Sequence, residues 1–186
     1  MTRTSLSTES VVAAASELVD REGAGALTLT QLAAHLGVKS PSLYNHVDGI
    51  DALRRLMALA TISDLAEATR TAAMGRSGAS ALRAVAHAFR DVARLRPGTY
   101  ALIQVARPGD EAWEAAAARL LEPVLAAMAG LGIEGEDAIH ATRSVRCAIH
   151  GFVSLESGKG FGMDLDIDES FDTLVEVLVA GLANRV

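Results

Sequence analysis

The sequence predicts an all-α protein, in which an N-terminal three-helix helix-turn-helix unit precedes a C-terminal helical bundle. Half of the 186 residues are hydrophobic but only 4% are aromatic, so Ala, Leu and Val must fill most of the core. Ala and Leu are strong helix formers, and only four prolines interrupt the chain. A stretch near the N-terminus also carries the capping and turn residues of two short helices close together in sequence.

The first two helices are recognisable from periodicity and from capping residues. The first is predicted over residues 7–22, where apolar residues recur at helical spacing. The second begins at Thr28, because Thr28 and Gln31 form the Thr-x-x-Gln pattern of a capping box, in which each side chain satisfies an N–H of the other residue. Gly37 ends this helix by supplying a position with positive φ.

A third helix follows this turn directly. Ser40 is predicted to cap it, with Pro41 at the first helical position, where a missing N–H costs nothing. A helix, a glycine turn and a second helix between residues 27 and 47 form a helix-turn-helix, whose second helix lies in the DNA major groove. The candidate DNA contacts are Thr28, Thr30, Lys39, Ser40, Pro41, Ser42, Tyr44, Asn45 and His46.

The remainder of the chain is predicted to be helical, with turns at its Gly- and Pro-containing segments. The predicted helices cover about residues 49–73, 80–95, 100–105, 110–129, 136–156 and 168–183.

The charge of the chain does not favour non-specific binding to nucleic acid. The net charge is -6, and the first fifty residues contain three Lys or Arg against five Asp or Glu. The local cations are Arg3, Lys39 at the turn, and Arg54 and Arg55 early in the fourth helix. We therefore expect a specific, salt-sensitive DNA binder with weak non-specific affinity.

The sequence also indicates a compartment. A single cysteine cannot form an internal disulfide, and the N-terminus has no apolar stretch of the signal-peptide kind. No apolar run reaches the eighteen or so residues that a membrane-spanning helix needs. These features favour the cytoplasm.

The helix-turn-helix segment resembles the DNA-binding motif of the TetR family. The resembling residues are Thr28 and Thr30 at the helix start, Leu36-Gly37-Val38 at the turn and Leu43-Tyr44-Asn45-His46 at the end of the recognition helix. The resemblance implies a bacterial transcriptional regulator, which we predict to be a repressor and a homodimer without a cofactor. It also implies that residues 1–50 bind DNA and that residues 51–186 bind an effector and dimerise. One departure is Ile50, because TetR-like sequences often carry a lysine there that contacts phosphate.

The resemblance further implies an effector pocket among the middle and late helices. Such pockets are mostly apolar with a few polar anchors, which favours a small, largely apolar effector. For each single candidate, packing in the core is an equally acceptable interpretation. The candidates are Met57, His87, Tyr100, Gln104, Trp113, Met128, Arg143, Cys147 and His150.

The last two helices are apolar enough to favour a partner, and we predict that they form a four-helix bundle with a second subunit. The predicted interface residues are Ile149, Phe152, Phe171, Leu174 and Leu178. The segment 150–156 resembles the end of a TetR C-terminal domain class named for a Trp-His-Gly signature, in which Ile149 replaces the tryptophan.

Other kinds of site have less support. Cys147 and His150 share one helix face but have no third residue to orient a catalytic dyad, and together with His140 they lack a fourth metal ligand. Residues 164–168 begin like a calcium loop, but the positions of its glycine and closing glutamate hold other residues. We therefore predict neither an enzyme nor a metal site. The alternative that stays open is a helical small-molecule-binding protein or enzyme with a vestigial helix-turn-helix.

Overall fold

The computed structural model describes residues 6–23, 25 and 27–184, and all regular secondary structure within them is helical. This confirms the predicted all-α fold. Arg3, one of the predicted local cations, lies outside the described residues. The helices are α1 (Thr8–Glu22), α2 (Leu29–His35), α3 (Ser40–Leu43), α4 (Ile50–Ala73), α5 (Gly78–Leu95), α6 (Pro97–Tyr100), a 3-10 helix (Ala101–Gln104), α7 (Glu111–Ala129), α8 (Gly135–Ser157) and α9 (Ile167–Ala183).

Side-chain caps define the beginnings of several helices. Ser7 caps α1 in a reciprocal capping box with Ser10, in which each residue bonds the backbone N–H of the other, at 3.2 and 2.9 Å. Asp110 accepts the Trp113 N–H at the start of α7. Asp166 accepts two backbone N–H groups at the start of α9, which explains an acidic residue in the segment that imitates a calcium loop.

Packing divides the chain into two compact units. Unit 1 contains the described residues of 1–62 and 96–113, and unit 2 contains those of 63–95 and 114–186. The helix-turn-helix therefore shares unit 1 with α6, the 3-10 helix and the turn before α7. The domain boundary placed after residue 50 concerns function, and it stays a prediction.

The core of unit 1 is built around leucines that anchor the helix-turn-helix. Leu32 of α2, Leu43 of α3 and Leu53 of α4 are each fully buried, and they pack with the apolar face of α1. Burial of a leucine side chain stabilises a fold by roughly 1.5–3 kcal/mol. The burial of Leu43 in this cluster therefore fixes the orientation of α3 within unit 1.

The chain before α7 packs against the far end of α1. The Asp20 carboxylate accepts the Thr99 backbone N–H at 2.8 Å. A Cβ atom at Gly98 would overlap the carbonyl of Val19, so the absence of a side chain at Gly98 permits the close approach of α6 to α1. Consequently α6 and the N-terminal helices form one packed body.

Unit 2 contains a buried arginine that joins three helices. Arg90 of α5 is 4% exposed and makes a bidentate ion pair with Glu156 of α8, with N···O distances of 2.9 and 2.7 Å. It also lies 2.7 Å from Asp168 of α9. Its guanidinium lies over the rings of Phe152 and Phe171, at 5.3 and 4.6 Å from their centroids. The charge is buried, and its partners satisfy it.

Candidate nucleic-acid interface

The glycine turn has the geometry that the sequence predicts. Gly37 has φ +67°. Its N–H donates to the Ala34 carbonyl and the Val38 N–H donates to the Ala33 carbonyl, which is the double hydrogen bond of a Schellman motif. Gly37 therefore both ends α2 and redirects the chain into α3.

The cap of α2 is confirmed in one half and wrong in the other. Thr28 accepts the Gln31 backbone N–H at 3.1 Å, as predicted. The Gln31 side chain does not complete a reciprocal box, because its oxygen instead accepts the Thr28 hydroxyl at 2.8 Å. The hydroxyl thus serves as donor and acceptor at once.

The boundaries of α3 also differ from the prediction. Lys39, not Ser40, is the N-cap residue, and it makes no side-chain capping bond. The difference arises because the first turn closes from the Ser42 N–H to the Lys39 carbonyl, one residue earlier than the Ser-Pro pattern indicates. The helix ends at Leu43, so Tyr44, Asn45 and His46 lie in the turn that follows. The Leu43 carbonyl accepts hydrogen bonds from the His46 and Val47 N–H groups and so closes this turn.

Along α3 and the turn after it, burial distinguishes residues that anchor the segment to the core from residues whose side chains are exposed to solvent. Leu43 is fully buried and is a core residue, whereas Tyr44 is 59% exposed. The Tyr44 side chain is therefore accessible to a binding partner. The structure places all nine predicted DNA contacts at the surface; Thr28, Thr30, Lys39, Pro41, Tyr44 and Asn45 are exposed, and Ser40, Ser42 and His46 are half-buried.

The end of the recognition segment, which comprises residues 40–46, is held against α1. The Thr8 hydroxyl donates to the His46 carbonyl at 3.2 Å, and Val47 is buried in the core of unit 1. These contacts restrict the backbone around His46, so exposed side chains lie on a supported backbone. A supported backbone lowers the entropy cost of ordering a binding segment.

Ile50 takes a structural role where TetR-like sequences often have a lysine. It is half-buried and packs against the core of unit 1 at the first residue of α4. The preceding Gly49 has φ +92°, which a residue with a side chain adopts only with strain. This junction therefore supplies apolar packing in place of a cation.

Most arginines of the described part of unit 1 lie in ion pairs, two of them with carboxylates nearby in sequence and two with carboxylates far away in sequence. Arg21 pairs with Glu22, Arg54 with Asp51, Arg55 with Asp110 and Arg96 with Asp20. Among the Lys and Arg residues of the described part of unit 1, only Lys39 and Arg107 have no carboxylate partner, and Lys39 is the exposed one of the two. Lys39 is therefore the strongest candidate for a phosphate contact. Ion pairs between residues distant in sequence leave no local pattern from which they could be inferred.

The predicted effector residues are divided between the two units, and they range from fully buried to exposed. Met57, Tyr100, Gln104 and Trp113 belong to unit 1, and His87, Met128, Arg143, Cys147 and His150 belong to unit 2. The buried members are Met57, Tyr100, Trp113 and Met128; Gln104 and His150 are half-buried; His87, Arg143 and Cys147 are exposed. Contact with an effector stays a prediction for all nine.

Two of the polar effector candidates, His87 and His150, interact with neighbouring side chains of the protein. The His87 ring lies edge-on to Phe171, and its Nε2 is 3.4 Å from an Asp172 oxygen. Burial, together with the nearby Arg146, lowers the pKa of His150. A neutral imidazole therefore predominates at His150 at neutral pH.

The predicted interface residues of α8 and α9 do not all face outward. Ile149 and Phe171 are 3% and 0% exposed, so they are core residues of the subunit, where α8 and α9 pack against α5 and each other and where His87 and Arg90 of α5 contact the Phe171 ring. Phe152, Leu174 and Leu178 are half-buried. The large apolar residues exposed on these helices are Ile139, Leu155 and Val177, at 42%, 51% and 64%, and none of them is among the predicted interface residues.

The structure adds two findings on other kinds of site. Within the described residues, no set of three or more His, Cys, Asp or Glu side chains is arranged to hold a metal ion. Within the same residues, no helix combines the length and apolar character that crossing a membrane requires.

Comparison with known proteins gives consistent similarities. Residues 82–178 match a family described as tetracyclin repressor-like, C-terminal domain. The chain is 39% identical over 182 residues to the HTH-type transcriptional regulator Rv0681 of Mycobacterium tuberculosis, covering 97% of this chain and 83% of that protein. It is 33% identical to the HTH-type transcriptional regulator YobS of Bacillus subtilis, covering 97% and 94%. A TetR variant of Acinetobacter baumannii AYE, solved in complex with minocycline, is 25% identical with a TM-score of 0.74, covering 96% and 97%.

Proposed function

This chain belongs to the TetR family of transcriptional regulators, and we propose that it is a ligand-responsive repressor that binds operator DNA as a homodimer and is released by a small, largely apolar effector. The observation that carries this proposal is the recognition segment, where Leu43 is fully buried and Tyr44 is exposed. A regulator that binds the chromosome works in the bacterial cytoplasm, and the proposal includes that location.

The recognition segment offers chemistry suited to a duplex. The Tyr44 hydroxyl can donate to a phosphate, and its ring can pack on a thymine methyl group. Lys39, at the first turn of α3, can approach a phosphate as a point charge. With few other unpaired cations in the described part of unit 1, we expect side-chain contacts and shape to contribute more than general electrostatic attraction.

A homodimer provides the second recognition segment. The exposed Leu155 and Val177 and the half-buried Leu174 and Leu178 lie on the two helices proposed to form the subunit interface. Two recognition segments can enter successive major grooves when they are about 34–36 Å apart. Effector binding then needs only to favour a state with a different separation.

The release step requires a difference in effector affinity between two states. A coupling free energy of about 1–3 kcal/mol weakens operator binding about 5–150-fold. The helix α4 begins immediately after the recognition segment and contributes residues to both units, so it is the natural element for transmitting the change. Buried candidates such as Met57 on α4 would sense an apolar effector directly.

An electrophoretic mobility shift with the DNA upstream of the chain's own gene tests this proposal. Wild-type protein is expected to shift that DNA, and Tyr44→Ala is expected to abolish the shift with its circular dichroism spectrum unchanged. Met74→Ala is the matched control, because Met74 is similarly exposed at 57% but lies in unit 2. Absence of a shift by folded wild-type protein at low salt would instead support the vestigial helix-turn-helix.

A further inference from the structure

The turn between the 3-10 helix and α7 contains an arginine with an unsatisfied donor. The Nε atom of Arg107 is buried, and it has no hydrogen-bond partner in the described residues. A buried charged donor without an acceptor is costly, so such groups are rare in folded proteins and require a specific explanation.

The neighbours of Arg107 orient the guanidinium without satisfying it. Its central carbon lies 5.4 Å from the centroid of the Trp113 ring, and Trp113 is 6% exposed. This cation–π contact uses the face of the guanidinium and leaves its N–H edge free to bind an acceptor. An acceptor beside this edge would also contact apolar surroundings at the indole.

The nearby carboxylate is already committed to another arginine. Asp110 accepts two hydrogen bonds from Arg55, at 2.5 and 2.6 Å, and also accepts the Trp113 N–H at 3.2 Å. These bonds hold the pKa of Asp110 at about 2, chiefly through the bond from Arg55, so the group is ionised at neutral pH. Asp110 therefore forms its hydrogen bonds with Arg55 and the start of α7, and Arg107 acts on it through its charge without a hydrogen bond.

We infer that Arg107 binds the carboxylate of an organic acid effector and that binding is transmitted to the recognition segment through the Asp110–Arg55 ion pair. This inference rests on the proposed function, since it names the chemical class of the effector. A monoanion fits better than a dianion, because the Asp110 carboxylate interacts with the charge of Arg107 and would repel each negative charge placed beside it. The indole beside the guanidinium favours an acid with an apolar body.

The geometry of the turn explains why binding would be transmitted. The Arg107 carbonyl accepts the Asp110 N–H at 3.2 Å, and the intervening Gly109 has φ +81°. Because the Nε is buried within this turn region, we expect a carboxylate that bonds it to displace the turn. Asp110 ends the turn, and its partner Arg55 lies in α4, which begins directly after the recognition segment.

The single tryptophan makes this site directly observable. Trp113 is the only tryptophan in the chain, so its emission, excited selectively over the two tyrosines, reports the surroundings of Trp113, which include Arg107. We propose titrating the full-length protein, without DNA, with octanoate, with the neutral octanamide and with inorganic phosphate. Octanoate is expected to shift the emission saturably, and the other two probes are not.

Variants separate the predicted site from general acid binding. Arg107→Gln is expected to weaken octanoate binding about tenfold to a hundredfold, as loss of a charged hydrogen bond does. The matched control Arg119→Gln, at an exposed position of the same helix as Trp113, is expected to bind octanoate like wild type. Saturable binding of phosphate or octanamide but not octanoate, no octanoate response, or equal binding by Arg107→Gln would each overturn the inference.

The transmission step has its own test. Asp110→Asn keeps an acceptor for the Trp113 N–H but loses the ion pair with Arg55. It is expected to bind octanoate by fluorescence yet to lose the octanoate-dependent fold-change in operator affinity. An Asp110→Asn protein that responds like wild type would exclude this route. Because the fluorescence titration contains no DNA, failure of the carboxylate site and failure of operator binding are distinguishable.

Discussion

The buried ion pair of Arg90 gives the sharpest stability prediction. Its partner Glu156 has a side chain that is only 14% exposed, so the variant Arg90→Met would leave a largely desolvated carboxylate without its bidentate partner. Removal of one partner of a buried pair typically costs about 3–5 kcal/mol. Arg94 lies 3.7 Å from the same carboxylate and stays in place, so we expect a loss near the lower end, about 3 kcal/mol.

The control for this prediction lies on the same helix. Arg83 of α5 also makes a bidentate pair, with Glu176 at 2.6 and 2.7 Å, but these side chains are 40% and 58% exposed. Exposed pairs contribute about 0–1 kcal/mol, so Arg83→Met is expected to change stability little. The two bidentate pairs have similar N···O distances, and they differ in how far their side chains are buried.

Urea unfolding followed by circular dichroism, at one fixed protein concentration, measures both variants. A loss of about 3 kcal/mol corresponds to a fall of about 6–12 °C in Tm for a chain of this size. The double variant Arg90→Met, Glu156→Met is expected to recover most of the loss, because it removes the unpaired charge as well. Equal destabilisation by Arg90→Met and Arg83→Met would refute the reasoning.

Three further outcomes are expected. Lys39→Ala should reduce the slope of log operator affinity against log salt by about 2 per dimer, since each phosphate contact contributes about 0.9, whereas the paired Arg21→Ala should leave it unchanged. The pKa of Asp110 is about 2 in the folded protein, against an ordinary value of 3.8. The contribution of the ionised Asp110 to stability is therefore complete above about pH 4 and is lost as the pH falls towards 2. Urea unfolding should show that the stability difference between wild type and Asp110→Asn shrinks over that range. Val177→Asp should yield monomers in sedimentation velocity, whereas Val105→Asp, at 67% exposure in unit 1, should not.

Local signals in the sequence predicted the helices and the turn. Thr28 and Gly37 act on N–H and C=O groups within a few residues of themselves, so their structural roles can be read from spacing alone. The one-residue difference at Ser40 shows the limit of such signals, since helix boundaries depend on which carbonyl closes the first turn.

Contacts between distant residues were not predictable in the same way. Arg54 and Arg55 look alike in sequence, yet Arg55 pairs with a carboxylate from the turn before α7. The apolar helices α8 and α9 offer more than one candidate face, and it is their packing with α5 and with each other that leaves Ile149 and Phe171 covered and Val177 exposed. Tertiary packing determines which of several apolar faces is buried.

Hydroxyl-radical footprinting of the DNA upstream of the chain's own gene tests most directly whether residues 40–46 act as a duplicated groove-binding segment. Wild-type protein is expected to protect two patches whose centres are one helical turn, about 10–10.5 base pairs, or a multiple of it apart. Tyr44→Ala is expected to lose both patches together, because each subunit contributes one. A single protected patch, or protection that Tyr44→Ala leaves intact, would contradict the account.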